Sequence, residues 1–130
     1  MRRRSAALFL IATVLAACAQ PRFEPPPSPP GPSLIRLRNA SPQAMERIRV
    51  HFFNDVFDYG RLGPGETSPY QSAARAYRYA YLETVVNGER KVLQPIDFMG
   101  ERLLGPGRFT YHLSIDADTG RLSIETTPDR

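Results

Sequence analysis

Few side chains in this sequence could perform catalysis or hold a metal ion. The two histidines, His51 and His112, each lie on the polar side of an alternating segment, with no further ligand in view except scattered carboxylates. Zinc needs three or four ligands, so solvent-exposed histidines are the favoured interpretation. No Gly-x-Ser-x-Gly motif for a serine nucleophile occurs. We therefore expect no catalytic residue, no metal site and no cofactor.

The acidic pair Asp116 and Asp118 is a second candidate for metal binding. With Thr119-Gly120 after them, these carboxylates look like the start of a calcium-binding loop, but the later acidic ligands of such a loop are missing. The pair is therefore interpreted as part of a hairpin turn.

The one cysteine, Cys18, stands at the end of an export signal. Met1–Arg4 is basic, and residues 5–17 are mostly apolar. This apolar run is shorter than a membrane-spanning helix, which needs about 20 residues. Leu15-Ala16-Ala17-Cys18 resembles the bacterial lipobox. The resemblance implies that residues 1–17 are removed as a signal peptide and that Cys18 becomes a lipidated first residue.

Lipidation of Cys18 would hold the mature protein at a membrane through its acyl chains, because two or more chains anchor stably whereas one binds marginally. In the Gram-negative pattern, an aspartate after the cysteine retains a lipoprotein in the inner membrane. Ala19 stands at that position. The resemblance therefore implies the outer membrane, facing the periplasm. An ordinary signal peptide with an incidental cysteine is the alternative.

The charge of the chain gives no support to a nucleic-acid partner. The formal net charge is +4, but three of the arginines belong to the signal peptide. Without them, 14 basic side chains stand against 13 acidic ones, and Lys91 is the one lysine. Binding to nucleic acid usually needs a clustered basic patch, and none is visible here.

Residues 18–33 form a proline-rich tether after the cysteine. The prolines lie at positions 21, 25, 26, 27, 29, 30 and 32. Proline fixes φ and removes a backbone donor, so we expect extended polyproline II that reaches roughly 45 Å from the membrane. The alternative is that this segment is a docking ligand for a proline-reading domain.

Residues 34–127 alternate between apolar and polar side chains in short runs, which predicts β-strands. Strands are predicted at 34–39, 48–52, 67–72, 77–86, 89–96, 109–115 and 122–124, with a helical turn at 73–76. A two-residue turn at Asn54-Asp55 would pair Phe52 with Phe57 and Val50 with Tyr59.

Two further hairpins have stronger turn signals. Asn87-Gly88 suits a type I′ turn, which would pair Leu82 with Leu93 and Tyr81 with Gln94. A four-residue loop at 117–120 would pair Ile115 with Leu122, and Leu113 with Ile124.

These segments predict an all-β fold, a single immunoglobulin-like antiparallel β-sandwich of about seven to eight short strands. The Pro-Gly turns at 62–66 and 104–111 resemble those that lead into strands of immunoglobulin-like, fibronectin-like and transthyretin-like domains. The cysteine pair and the tryptophan of immunoglobulin domains are absent.

Three tyrosines supply the candidate binding site. Period-2 alternation would put Tyr77, Tyr79 and Tyr81 on one strand face with Gln94, and Leu82 on the opposite face. We expect the leucine face to be buried and the tyrosine row to be partly exposed. A tyrosine combines a flat apolar ring with a polar tip, which suits a sugar or a protein partner. Ordinary, partly buried sheet residues are the alternative.

The sequence as a whole predicts a membrane-anchored envelope lipoprotein with a non-enzymatic, protein-interacting or structural domain. Its expected partner is another envelope protein. The alternative is a small-ligand module that binds a glycan or a metal such as copper.

Overall fold

Alternating side chains along the chain give two four-stranded sheets. The computed structural model of this protein describes residues 31–95 and 102–130. The strands in these ranges are β1 (Ser33–Asn39), β2 (Met45–Phe52), β3 (Asp55–Leu62), β4 (Gln71–Ala73), β5 (Tyr81–Val86), β6 (Glu89–Leu93), β7 (Gly107–Ile115) and β8 (Leu122–Pro128). One sheet has the order β4-β1-β7-β8 and the other β3-β2-β5-β6. The predicted all-β sandwich is confirmed.

The core lies between the two sheets. Side chains at alternate positions along the strands point into it. Ile35 and Leu113 from the first sheet and Val50 and Leu82 from the second are fully buried. Each such aliphatic side chain contributes about 1.5–3 kcal/mol when it leaves water. The predicted leucine face of β5 is therefore the core face.

Both hairpins with strong turn signals have the predicted register. Leu82 pairs with Leu93 across a turn in which Asn87 and Gly88 have φ of 51° and 78°, as a type I′ turn requires. Ile115 pairs with Leu122, and Leu113 with Ile124.

One strand pair departs from an antiparallel arrangement. β1 runs parallel to β7, from Ser33 beside Gly107 to Asn39 beside Leu113. A parallel pair needs a long crossover connection. Here the whole second sheet lies between the two strands in the chain. No hairpin signal could reveal this pairing, so the sequence did not predict it.

The turn between β2 and β3 lies one residue earlier than predicted. Phe52 pairs with Asp55 and Val50 with Phe57, so Phe53 and Asn54 form the turn instead of Asn54-Asp55. The pairing shifts by two residues in total, so the same side chains still face the core. Phe53 takes a positive φ of 57°, which the usual turn preferences disfavour for a bulky residue.

The segment 74–80 contains neither the predicted helical turn nor the first half of the predicted strand 77–86. It leads from β4 in the first sheet to β5 in the second, and β5 begins at Tyr81. The carbonyls of Tyr77 and Arg78 accept hydrogen bonds from the side chains of Tyr111 and Thr126. A backbone that crosses between sheets cannot continue a strand ladder, and this overrides the β propensity of the tyrosines.

Three remaining boundaries differ from prediction or cannot be compared. The short strand predicted at 67–72 is reduced to β4, with Thr67 in an isolated bridge to Arg38. Ile96, the predicted end of β6, and the anchor and tether up to position 30 lie outside the described residues. Within the described ranges, no helix is long and apolar enough to cross a bilayer.

Candidate binding cleft

A concave site of about 310 Å³ opens at the end of the sandwich where the β2–β3 turn meets the segment 74–80. Its wall is mostly apolar. We call it the aromatic cleft, and its main lining residues are His51, Phe53, Arg75, Tyr77, Tyr79 and Tyr81. Ligand pockets in proteins commonly have volumes of about 300–1,000 Å³, so this cleft is at the small end.

The three predicted tyrosines meet in this cleft, but not as a row on one strand. Tyr81 is the first residue of β5, whereas Tyr77 and Tyr79 belong to the irregular segment before it. The predicted strand-face geometry is therefore wrong. Gln94 follows the last residue of β6, is exposed and does not line the cleft.

Phe53 stands at the mouth of the cleft with 48% of its surface exposed. Its ring centroid is 5.3 Å from that of Tyr77, and the Arg75 guanidinium carbon lies 5.3 Å from the Phe53 ring centroid. The sequence analysis missed both Phe53 and Arg75. Consecutive phenylalanines in an alternating strand were the available signal, since Phe52 and Phe53 cannot both face the core.

His51 also lines the cleft. Its ring meets that of Tyr81 edge-on, with centroids 4.7 Å apart. The Nε2 atom is buried and has no hydrogen-bond partner among the residues that the structure describes. A buried polar atom left unsatisfied costs about 1–3 kcal/mol of stability, and this cost falls on a residue of the cleft wall. The interpretation of His51 as solvent-exposed is wrong for this atom.

Arg90 on strand β6 interacts with Tyr81. Hydrogen bonds to Glu83 and to Tyr81 raise the pKa of Arg90. The Arg90–Glu83 contact is 2.7 Å between Nη2 and Oε2.

The other residues considered for metal binding are separated. His112 lies in the first sheet, where its Nε2 is 2.9 Å from the Thr127 hydroxyl, and His51 lies in the second. Asp116 accepts hydrogen bonds from the amides of Asp118 and Thr119, at 2.8 and 2.9 Å. The amide of Thr119 has the largest effect and that of Asp118 the next, and together they lower the pKa of Asp116. These bonds fit the hairpin-turn interpretation. Across residues 31–95 and 102–130, no group of three His, Cys, Asp or Glu side chains could hold a metal ion.

Comparison with known proteins supports the fold and goes no further. No protein-family model matches the sequence. No curated protein matches it significantly. The structure is similar to an NMR structure of a protein from Eubacterium rectale, with a TM-score of 0.55 and 15% identity over 76% of this chain and 91% of that one. At this level of identity, the likeness concerns the fold alone.

Proposed function

We propose that this protein is a lipid-anchored lipoprotein of the bacterial envelope that binds another envelope protein through the aromatic cleft and catalyses no reaction. The lipobox-like Leu15-Ala16-Ala17-Cys18 supports the anchor. The observation that best supports a binding function is the exposed Phe53 side chain at the mouth of a cleft lined by tyrosines.

Several properties of the cleft favour a protein partner. Aromatic residues and arginine are enriched in the centres of protein–protein interfaces, and tyrosine and arginine supply much of their binding energy. The cleft combines Tyr77, Tyr79 and Tyr81 with Arg75 and Phe53 in one open site. A strained backbone at Phe53 is stable only because surrounding contacts hold it, and such residues concentrate at binding sites.

A glycan is the alternative ligand for the same rings, because a sugar ring could stack on tyrosine. The mostly apolar wall of the cleft favours the protein partner. The alternative of a copper site has no supporting cluster of ligands in the described residues.

The test is photo-crosslinking in intact cells with the full lipidated chain. A benzophenone amino acid at position 53 should give a light-dependent adduct with one envelope protein. The same group at position 92 is the matched control, because Val92 is also exposed, at 38%, but lies outside the cleft.

The Tyr79→Ala change should weaken the adduct formed from position 53 while leaving the thermal unfolding transition in place. Adducts of equal yield from positions 53 and 92 would contradict the proposal. A chemical-shift change caused by cell-wall glycan fragments and confined to the cleft would favour the glycan alternative.

A further inference from the structure

The proline-rich tether joins the domain at the same end as the aromatic cleft. Ser33 is the first residue of β1, and its hydroxyl donates a hydrogen bond to the carbonyl of Gly105. The next residue back, Leu104, donates its amide to the carbonyl of Ala76 over 2.8 Å. Ala76 is itself part of the cleft wall. Two hydrogen bonds therefore connect the first strand residue with the cleft.

The last described residues before β1 lie on this same part of the surface. A Cβ atom on Gly31 would stand 3.4 Å from the Cβ of Pro106, the residue after Gly105. The prolines at positions 21, 25, 26, 27, 29 and 30 immediately precede Gly31. The tether therefore begins a few residues from a cleft whose lining is aromatic.

The chemistry of the two parts is complementary. Proline-rich segments bind in aromatic-lined grooves because their rings pack flat on aromatic faces and their polyproline II conformation is preformed. Such a segment has no internal hydrogen bonds, so its carbonyls can accept bonds from a binding site. The guanidinium of Arg75, which lines the cleft, has N–H donors for such bonds.

We propose that Pro25–Pro30 of the tether docks in the aromatic cleft of its own domain. This inference uses the cleft of the proposed function but needs no partner protein. Within one chain, a short linker gives an effective concentration of about millimolar, so weak intrinsic binding is sufficient.

Docking changes how far the domain can stand from the membrane. The undocked tether reaches roughly 45 Å at about 3.1 Å per residue. With Pro25–Pro30 held in the cleft, only the residues from Cys18 to Glu24 span the gap, roughly 20 Å at the same rise. A protein that takes the cleft from the tether thereby also releases the domain to its full reach.

The experiment uses the full lipidated chain with the benzophenone amino acid at position 53, purified in detergent without other proteins. Trypsin then releases the tether as the peptide between Arg22 and Arg36, and mass spectrometry identifies what is attached to position 53. We expect an intramolecular adduct with Pro25–Pro30. A length-matched variant with serine at positions 25, 26, 27, 29 and 30 is the control, and its yield should fall several-fold.

An equal adduct yield in the serine variant would overturn the inference, because mere proximity of the tether would then explain the crosslink. Absence of the adduct would also overturn it. An equal mixture of light and isotope-labelled protein shows whether the crosslinked tether belongs to the same chain or to a second copy. Adducts of mixed mass would contradict docking within one chain. An adduct with the tether but with no envelope protein in cells would leave this inference standing and refute the proposed function.

Discussion

Phe53 combines a left-handed backbone conformation with a side chain that is about half exposed to solvent. A non-glycine residue with positive φ costs about 1–2 kcal/mol. The ring regains part of this energy through Tyr77 and Arg75, which lie beyond the hairpin in the chain. His51 carries a similar cost in its buried Nε2 atom. Both costs fall on residues that line the aromatic cleft.

The strain at Phe53 can be measured by comparing two substitutions. Phe53→Ala removes the ring but keeps the disfavoured φ, whereas Phe53→Gly also relieves it. We expect the glycine variant to be more stable than the alanine variant by about 1 kcal/mol in urea unfolding.

Val92 provides the matched control, because it lies in the regular strand β6. There, Val92→Gly should be less stable than Val92→Ala. If alanine were also more stable than glycine at position 53, Phe53 would not be strained.

The carboxylate of Asp129 gives a prediction about pH. Burial raises its pKa, but hydrogen bonds from Tyr70 and Thr110, with the charge of Arg36, outweigh burial and leave the pKa below its ordinary value. A depressed folded-state pKa stabilises the fold above the unfolded-state pKa of about 3.9, and this stability is lost as pH falls through the folded-state value.

Asp129→Asn should therefore lower the melting temperature at pH 7 and have less effect at pH 3. Tyr70→Phe should show the same trend more weakly, since it removes one donor to the carboxylate. Equal losses for Asp129→Asn at both pH values would mean that ionisation of Asp129 does not matter.

At the scale of elements, local signals and long-range packing decide different parts of the chain. The hairpins at 87–88 and 117–120 have the predicted register because turn type and alternation are both local properties. The segment 74–80 has no such local determinant. Its course depends on hydrogen bonds from Tyr111, Thr126 and Leu104, all distant in sequence.

Leu82 in the core and Tyr79 in the cleft wall should respond differently to truncation. Leu82 is 0% exposed, so Leu82→Ala should destabilise the fold by about 2–5 kcal/mol, as buried leucine truncations do. Tyr79 is half-buried in the cleft wall, so Tyr79→Ala should cost distinctly less. Denaturant unfolding of both variants gives the comparison, and a greater loss for Tyr79→Ala would assign the tyrosine to the core.

At the scale of the whole molecule, the two sheets are tied at both ends. At the end opposite the cleft, Lys91 in the second sheet donates a hydrogen bond of 2.8 Å to the carbonyl of Gly120 in the β7–β8 turn. At the cleft end, the segment 74–80 and Leu104 make the connections. Ser33, the first residue of β1, lies at this second end, so the chain enters the domain on the same side as the candidate binding site.

The anchor itself gives a prediction for the intact protein. Labelled palmitate should enter the wild-type chain and remain with the membrane fraction, whereas Cys18→Ala should take up no label and leave the membrane. If Cys18→Ala still incorporates label, lipidation occurs elsewhere and the anchor assignment fails.

The sequence by itself determined the sandwich class, the core face of each main strand and the registers of two hairpins. These properties depend on side-chain period and on turn residues a few positions apart. The anchor and tether are likewise predicted from local composition. Only the tertiary structure decided that β1 pairs with β7, that Phe53 forms a turn, and that Tyr77 and Tyr79 leave the strand yet meet Tyr81 in one cleft. Each of these depends on contacts between residues far apart in the chain, and a local sequence pattern contains no information about the energy of such contacts.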